Sequence, residues 1–188
     1  IALLLAMLSP WTASAQTFTN NTPGAINDFQ CFNRTITVPS TLFIADLDVP
    51  VEIFHTYRGD LDITLTSPTG TALVLTSDNG GGANNLRVVF DDAATQSIVG
   101  DNNNHNGNTE RRRIPENPLS AFNGQNAAGT WTLQICDDEA LDTGTFDSYS
   151  LVFVAAPQLS VAKALPLGRF ATTDQFTLTI NGTGGPVS

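Results

Sequence analysis

Basic charge is scarce in this sequence. Its 188 residues carry 8 Lys and Arg against 18 Asp and Glu, a net charge of −10. Nucleic-acid backbones and anionic membranes are held by clustered Lys and Arg, so binding to either is not expected. Cysteine is limited to Cys31 and Cys136. Neither belongs to a Cys-x-x-Cys pair or stands near a set of His ligands, which argues against a zinc site. No apolar run is long enough to span a bilayer, and no long segment repeats apolar residues at i, i+3 and i+4. Membrane insertion and long helices are therefore not expected. A charged fraction of 14% does not imply disorder here, because 41% of the residues are hydrophobic and can form a core.

What is present begins with an apolar stretch, Ile1-Ala2-Leu3-Leu4-Leu5-Ala6-Met7-Leu8, broken by Ser9-Pro10 and followed by Ala13-Ser14-Ala15. An apolar core of that length ahead of an A-x-A triplet reads as part of a signal peptide over residues 1–15, with Gln16 as the mature start. A buried helix at the chain end is the competing reading. Export implies a secreted or cell-surface protein in an oxidising compartment, where Cys31 and Cys136 are expected to form a disulfide rather than two buried thiols.

The rest reads as short strands between turn residues. Residues 35–38, 41–44, 46–57, 61–66, 72–76, 86–90, 130–136 and 150–154 are rich in β-branched and aromatic side chains. Leu61, Ile63 and Leu65 alternate with Asp62, Thr64 and Thr66, one face buried and one wet. Ser67-Pro68-Thr69-Gly70 is a turn signal that makes a hairpin of the flanking runs. A polar stretch at 91–117, with Asn-rich 101–108, is long enough to be functional, ligand-ordered or disordered. The expected fold is all-β: an antiparallel β-sandwich of jelly-roll or Greek-key type over residues 16–155, then a linker and the incomplete start of a second β domain over 156–188.

Three ordered blocks carry a family resemblance. The first runs from Val51-Glu52-Ile53-Phe54-His55-Thr56-Tyr57 through Arg58-Gly59-Asp60-Leu61-Asp62 to Ser67-Pro68-Thr69-Gly70-Thr71. The second is Phe90-Asp91-Asp92-Ala93-Ala94. The third runs Leu119-Ser120-Ala121-Phe122-Asn123-Gly124, Ala128-Gly129-Thr130-Trp131-Thr132-Leu133, Asp137 and Gly144-Thr145-Phe146. In this order and spacing they resemble the P domain (P/Homo B domain) of subtilisin-like proprotein convertases. One departure is Tyr149, where the family pattern has a Trp. The resemblance implies a domain that accompanies a serine endopeptidase without being catalytic, acting by stabilisation or by binding. The partner would be a protein, a glycan or another domain of the same chain. The tail from Leu159 faintly resembles the immunoglobulin-like repeats of bacterial surface proteins.

The residues themselves suggest the following roles. Trp131, between threonines, should fill the core. Gly59 and Gly129 serve strand entrances and turns, and Asp60 is expected to be a hydrogen-bonded structural carboxylate with Arg58 as its nearest partner. His55 reads as a core or rim histidine and His105, in its Asn-rich loop, as solvated. His55 and Asp60 lie too close on one strand to build a triad, and no activated Ser is apparent, so catalytic residues are not expected. Arg58-Gly59-Asp60 sits at a strand entrance rather than a loop tip, which disfavours an adhesion role. Calcium is the cofactor kept open: Asp91, Asp92, Asp101 and Asp137 are the candidate ligands, with Asp138, Glu139 and Asp142 crowding the same loop as Asp137. Arg111-Arg112-Arg113 is a candidate partner for that acidic surface.

Overall fold

The computed structural model describes residues 15–107 and 111–157. The expected signal peptide over 1–15, apart from Ala15, and all but the first two residues of the expected linker and second β domain over 156–188 lie outside these residues. Ten strands follow in chain order: β1 (Ala15–Asn20), β2 (Gly24–Ile26), β3 (Gln30–Val38), β4 (Ile44–His55), β5 (Leu61–Thr66), β6 (Ala72–Ser77), β7 (Leu86–Phe90), β8 (Arg112–Arg113), β9 (Gly129–Asp137) and β10 (Gly144–Ala155). Two 3-10 turns, Arg58–Asp60 and Leu119–Phe122, are the helical pieces among the described residues.

The strands form two sheets. One has the order β1-β10-β4-β7-β8, with β2 also on β10; the other is β3-β9-β5-β6. The chain passes between sheets at β2–β3, β3–β4, β4–β5, β6–β7, β8–β9 and β9–β10, so many consecutive strands lie in opposite sheets across the core. The expected sandwich is therefore present. Among the described strands the one parallel pair is β7 with β8, joined through a segment long enough for the crossover that a parallel pair requires. Two expected strands, 41–44 and 46–57, are a single element beginning at Ile44, and Phe43 makes only an isolated bridge to Asn126. Strands β1 and β2 have no clear apolar alternation because their side chains are mostly exposed, and β1 forms the edge of its sheet.

Alternation sets the core. Leu61, Ile63 and Leu65 of β5 and Trp131, Leu133 and Ile135 of β9 are all fully buried. Trp131 lies at the centre, edge-on to Phe122 at 5.0 Å and tilted against Phe153 at 5.4 Å. Its indole Nε1 donates to the Ala127 carbonyl at 2.8 Å, so the polar atom is not stranded. Burying an apolar side chain of this class contributes roughly 1.5–3 kcal/mol. Tyr149, in place of the family's Trp, is also buried and donates its hydroxyl to the Arg34 carbonyl at 3.2 Å. Cys31 and Cys136 are direct register partners on β3 and β9, 4.0 Å apart at Cα, and form the disulfide.

Two glycines have distinct reasons. Gly129 adopts φ +124, and a Cβ there would lie 2.7 Å from the Pro68 side chain. Gly59 has no unusual φ; its Cβ would meet the Gly81 backbone at 3.0 Å, so close approach between the 57–60 turn and the 78–82 loop selects it.

Candidate functional site

The polar chemistry gathers at the end of the sandwich where the 57–60 turn, the 78–84 loop, the 101–107 loop and the 137–142 loop meet. Arg58 is the hub. The 3-10 turn takes it away from Asp60, its expected partner, and it is 1% exposed. Its guanidinium donates to the backbone carbonyls of Asn79 (3.3 Å), Asn103 (3.0 Å) and Asp101. Asp60 receives nothing from it.

Asp101 is the other half of this cluster. Its carboxylate accepts from Arg113 Nε at 2.6 Å, His105 Nε2 at 2.9 Å, and Asn103 through both its amide side chain and its backbone N–H. Burial alone would raise its pKa, but these hydrogen bonds outweigh burial and hold it well below the usual carboxylate range. His105 is not solvated as expected: it is completely buried, its backbone N–H donates to Asn84, and its Nδ1 has no hydrogen-bond partner among the described residues. Burial, followed by the Arg58 charge, lowers its pKa to about 4. The Asn-rich loop is thus anchored by a buried ionic cluster. An isolated histidine among asparagines gives no sequence signal of that.

His55 is a core histidine, as its strand position suggested. Its Nε2 lies 3.1 Å from Asp137 Oδ2 and its Nδ1 2.7 Å from the Tyr57 carbonyl, with both side chains of the His–Asp pair fully buried.

The four carboxylates singled out as calcium candidates are not gathered together. Asp91 accepts from Arg112 (2.7 Å) and from the Ala93 N–H (2.7 Å). Asp92 caps the second 3-10 turn through the N–H groups of Leu119 and Ser120, both at 2.8 Å. Asp101 is held as above, and Asp137 is shared between His55 and the Glu139 N–H. Each already has protein donors, most of them from other elements. Among the described residues no three His, Cys, Asp or Glu side chains are close enough together to hold a metal as they stand. Arg112 pairs with Asp48 and Asp91, and Arg113 with Asp101.

A groove of about 510 Å³ lies beside the 57–60 turn, lined by Tyr57, Gly59, Asp60, Asp78, Asp138, Glu139, Ala140 and Asp142. Asp60 is 5% exposed there and, contrary to expectation, its carboxylate accepts no hydrogen bond from the described residues. Burial first, then the neighbouring Asp137, raises its pKa. Asp78 is likewise raised, by burial and then by Asp138. The Arg58-Gly59-Asp60 tripeptide is folded inward, with both charged side chains buried, so it is not displayed as a ligand.

The family model described as proprotein convertase P-domain matches residues 44–153. A calcium-dependent protease of Trichormus variabilis is 28% identical over 129 residues, covering 67% of this chain and 16% of that protein. Leupeptin-inactivating enzyme 1 of Streptomyces exfoliatus is 29% identical over 109 residues, 58% of this chain and 18% of that one. The chain thus spans less than a fifth of the length of these relatives. The serine protease of Aeromonas sobria, solved in complex with a chaperone, has the same fold over 78% of this chain and 28% of its own, with a TM-score of 0.53 and 17% identity.

Proposed function

Because the chain belongs to the proprotein convertase P-domain family, we propose that its sandwich is a non-catalytic accessory module of a secreted or surface protein, acting by stabilisation or by binding a protein or glycan. The observation that carries this reading is the His55–Asp137 pair. It has the composition of a catalytic dyad, yet both side chains are fully buried and both ring nitrogens face protein oxygens. A general base must reach a substrate proton, and this one has no open side from which to do so.

The relatives favour a protease setting, in which this module accompanies a catalytic domain elsewhere on a longer polypeptide. A surface protein without a protease is the competing setting. The Cys31–Cys136 disulfide supports an oxidising compartment, and among the described residues no helix is long and apolar enough to cross a membrane.

The test is labelling of the full chain with a fluorophosphonate serine-hydrolase probe, alongside hydrolysis of fluorogenic peptides. The reading expects neither labelling nor turnover above a heat-treated control. Stoichiometric labelling of a serine in this chain would overturn it.

A further inference from the structure

The buried cluster around Arg58 and Asp101 is not balanced in charge. Arg58 and Arg113 are both buried, and Asp101 is the one acidic side chain among the described residues that pairs with either, 2.6 Å from Arg113 and 4.0 Å from Arg58. The other partners of Arg58 are neutral backbone carbonyls, and His105, with its pKa at about 4, is uncharged at neutral pH. Two buried cations therefore share one buried carboxylate, which leaves an excess of one positive charge inside a chain of net charge −10. Buried charges are ordinarily paired, because leaving one uncompensated is costly.

A pocket of about 170 Å³ opens onto this imbalance. Arg113 and Asp101 are its buried lining, and Gln96, Ser97, Val99 and Asn103 are its exposed sides. Arg113 donates through Nε to Asp101 and through Nη1 to the Arg112 carbonyl at 2.9 Å, and its Nη2 has no hydrogen-bond partner among the described residues. The Asp101 oxygens are taken by Arg113, His105 and Asn103. We propose that this pocket binds a single carboxylate group, received by Nη2 of Arg113. Guanidinium and carboxylate form strong charge-assisted hydrogen bonds. One monoanion cancels the excess charge, whereas a dianion such as phosphate would reverse it beside Asp101. The Ser97 hydroxyl accepts from the Val99 N–H at 3.0 Å and keeps its own proton to donate to the ligand. Val99 supplies an apolar wall for the carbon that bears the carboxylate. A peptide chain end and a free small acid present the same group. The site does not depend on a protease setting.

The experiment follows the arginine side-chain N–H signals of the full chain by NMR, with sodium acetate as the probe and sodium chloride at equal ionic strength as the reference. Acetate is expected to shift the signals assigned to Arg113 and to saturate with a dissociation constant of about 1–10 mM, as suits so small a ligand. Val99→Asp puts a like charge at a rim position that is 59% exposed, and should weaken binding at least about tenfold without lowering the melting temperature. Thr17→Asp, exposed on β1 at the opposite edge of the sheet from β8, should leave binding unchanged. N-acetyl-trialanine with a free C-terminus distinguishes the sources. Tighter binding than acetate assigns the site to peptide ends, equal or weaker binding assigns it to free small acids, and either upholds the carboxylate. No saturable shift of Arg113 in wild type would overturn the proposal. So would an equal shift with chloride, or acetate binding retained in Val99→Asp.

Discussion

Arg58 and Asp101, 43 residues apart in sequence, meet inside one end of the sandwich: the guanidinium donates to the Asp101 carbonyl and stands 4.0 Å from its carboxylate. This contact ties the 57–60 turn to a loop that looks unstructured in the sequence. Arg58→Met should therefore cost about 3–5 kcal/mol, since it strands three backbone carbonyls and leaves Asp101 one cation short. Urea denaturation of the variant checks this; a loss under about 1 kcal/mol would mean that the loop holds itself.

Acid should loosen the same cluster. Folding holds His105 at a pKa of about 4, below its ordinary value of about 6.5, so the unfolded chain binds a proton more readily. Its contribution is complete above about pH 6.5 and is lost as pH falls towards 4, on the order of 2–3 kcal/mol in all. Asp101, held low by its donors, adds a further loss only below the ordinary carboxylate range near 3.8. His105→Gln keeps a donor for Asp101 and removes the titration. Its stability should be flatter than wild type between pH 7 and 4.5, read by urea denaturation across that range.

Trp131 links both sheets through Phe122 and Phe153. Trp131→Phe deletes ring volume and strands the Ala127 carbonyl, for an expected loss of about 1–3 kcal/mol. Chemical denaturation followed by far-UV dichroism measures it without relying on tryptophan emission.

The Cys31–Cys136 bridge closes a loop of 105 residues. Replacing both cysteines by alanine should lower stability by about 2–5 kcal/mol. The wild-type chain should lose a similar amount under reductant, while the double variant should not respond to it.

The sandwich was legible because half-buried strands write their alternation into sequence: β5 and β9 show it plainly, and Trp131 falls where that alternation puts it. Strand β1 was not legible, since an edge strand with exposed side chains carries no apolar period. The end of the sandwich was harder. Three residues, Arg58–Asp60, form a 3-10 turn instead of extending β5, and that rotates Arg58 away from Asp60. Loop acids gave no pattern to separate Asp91, Asp92, Asp101 and Asp137, which are held by protein donors, from Asp60, which is not. His105 was read as solvated because its neighbours are polar; its burial comes from the 78–84 loop and Arg113, both distant in sequence.

The proposed structural role of the His55–Asp137 pair, holding the sandwich together and taking no part in peptide cleavage, is tested by one variant. His55→Gln in the full chain should melt below wild type, with peptide hydrolysis at background in both proteins. A wild-type chain that hydrolyses peptides, together with a His55→Gln variant that loses the activity at an unchanged melting temperature, would contradict the account.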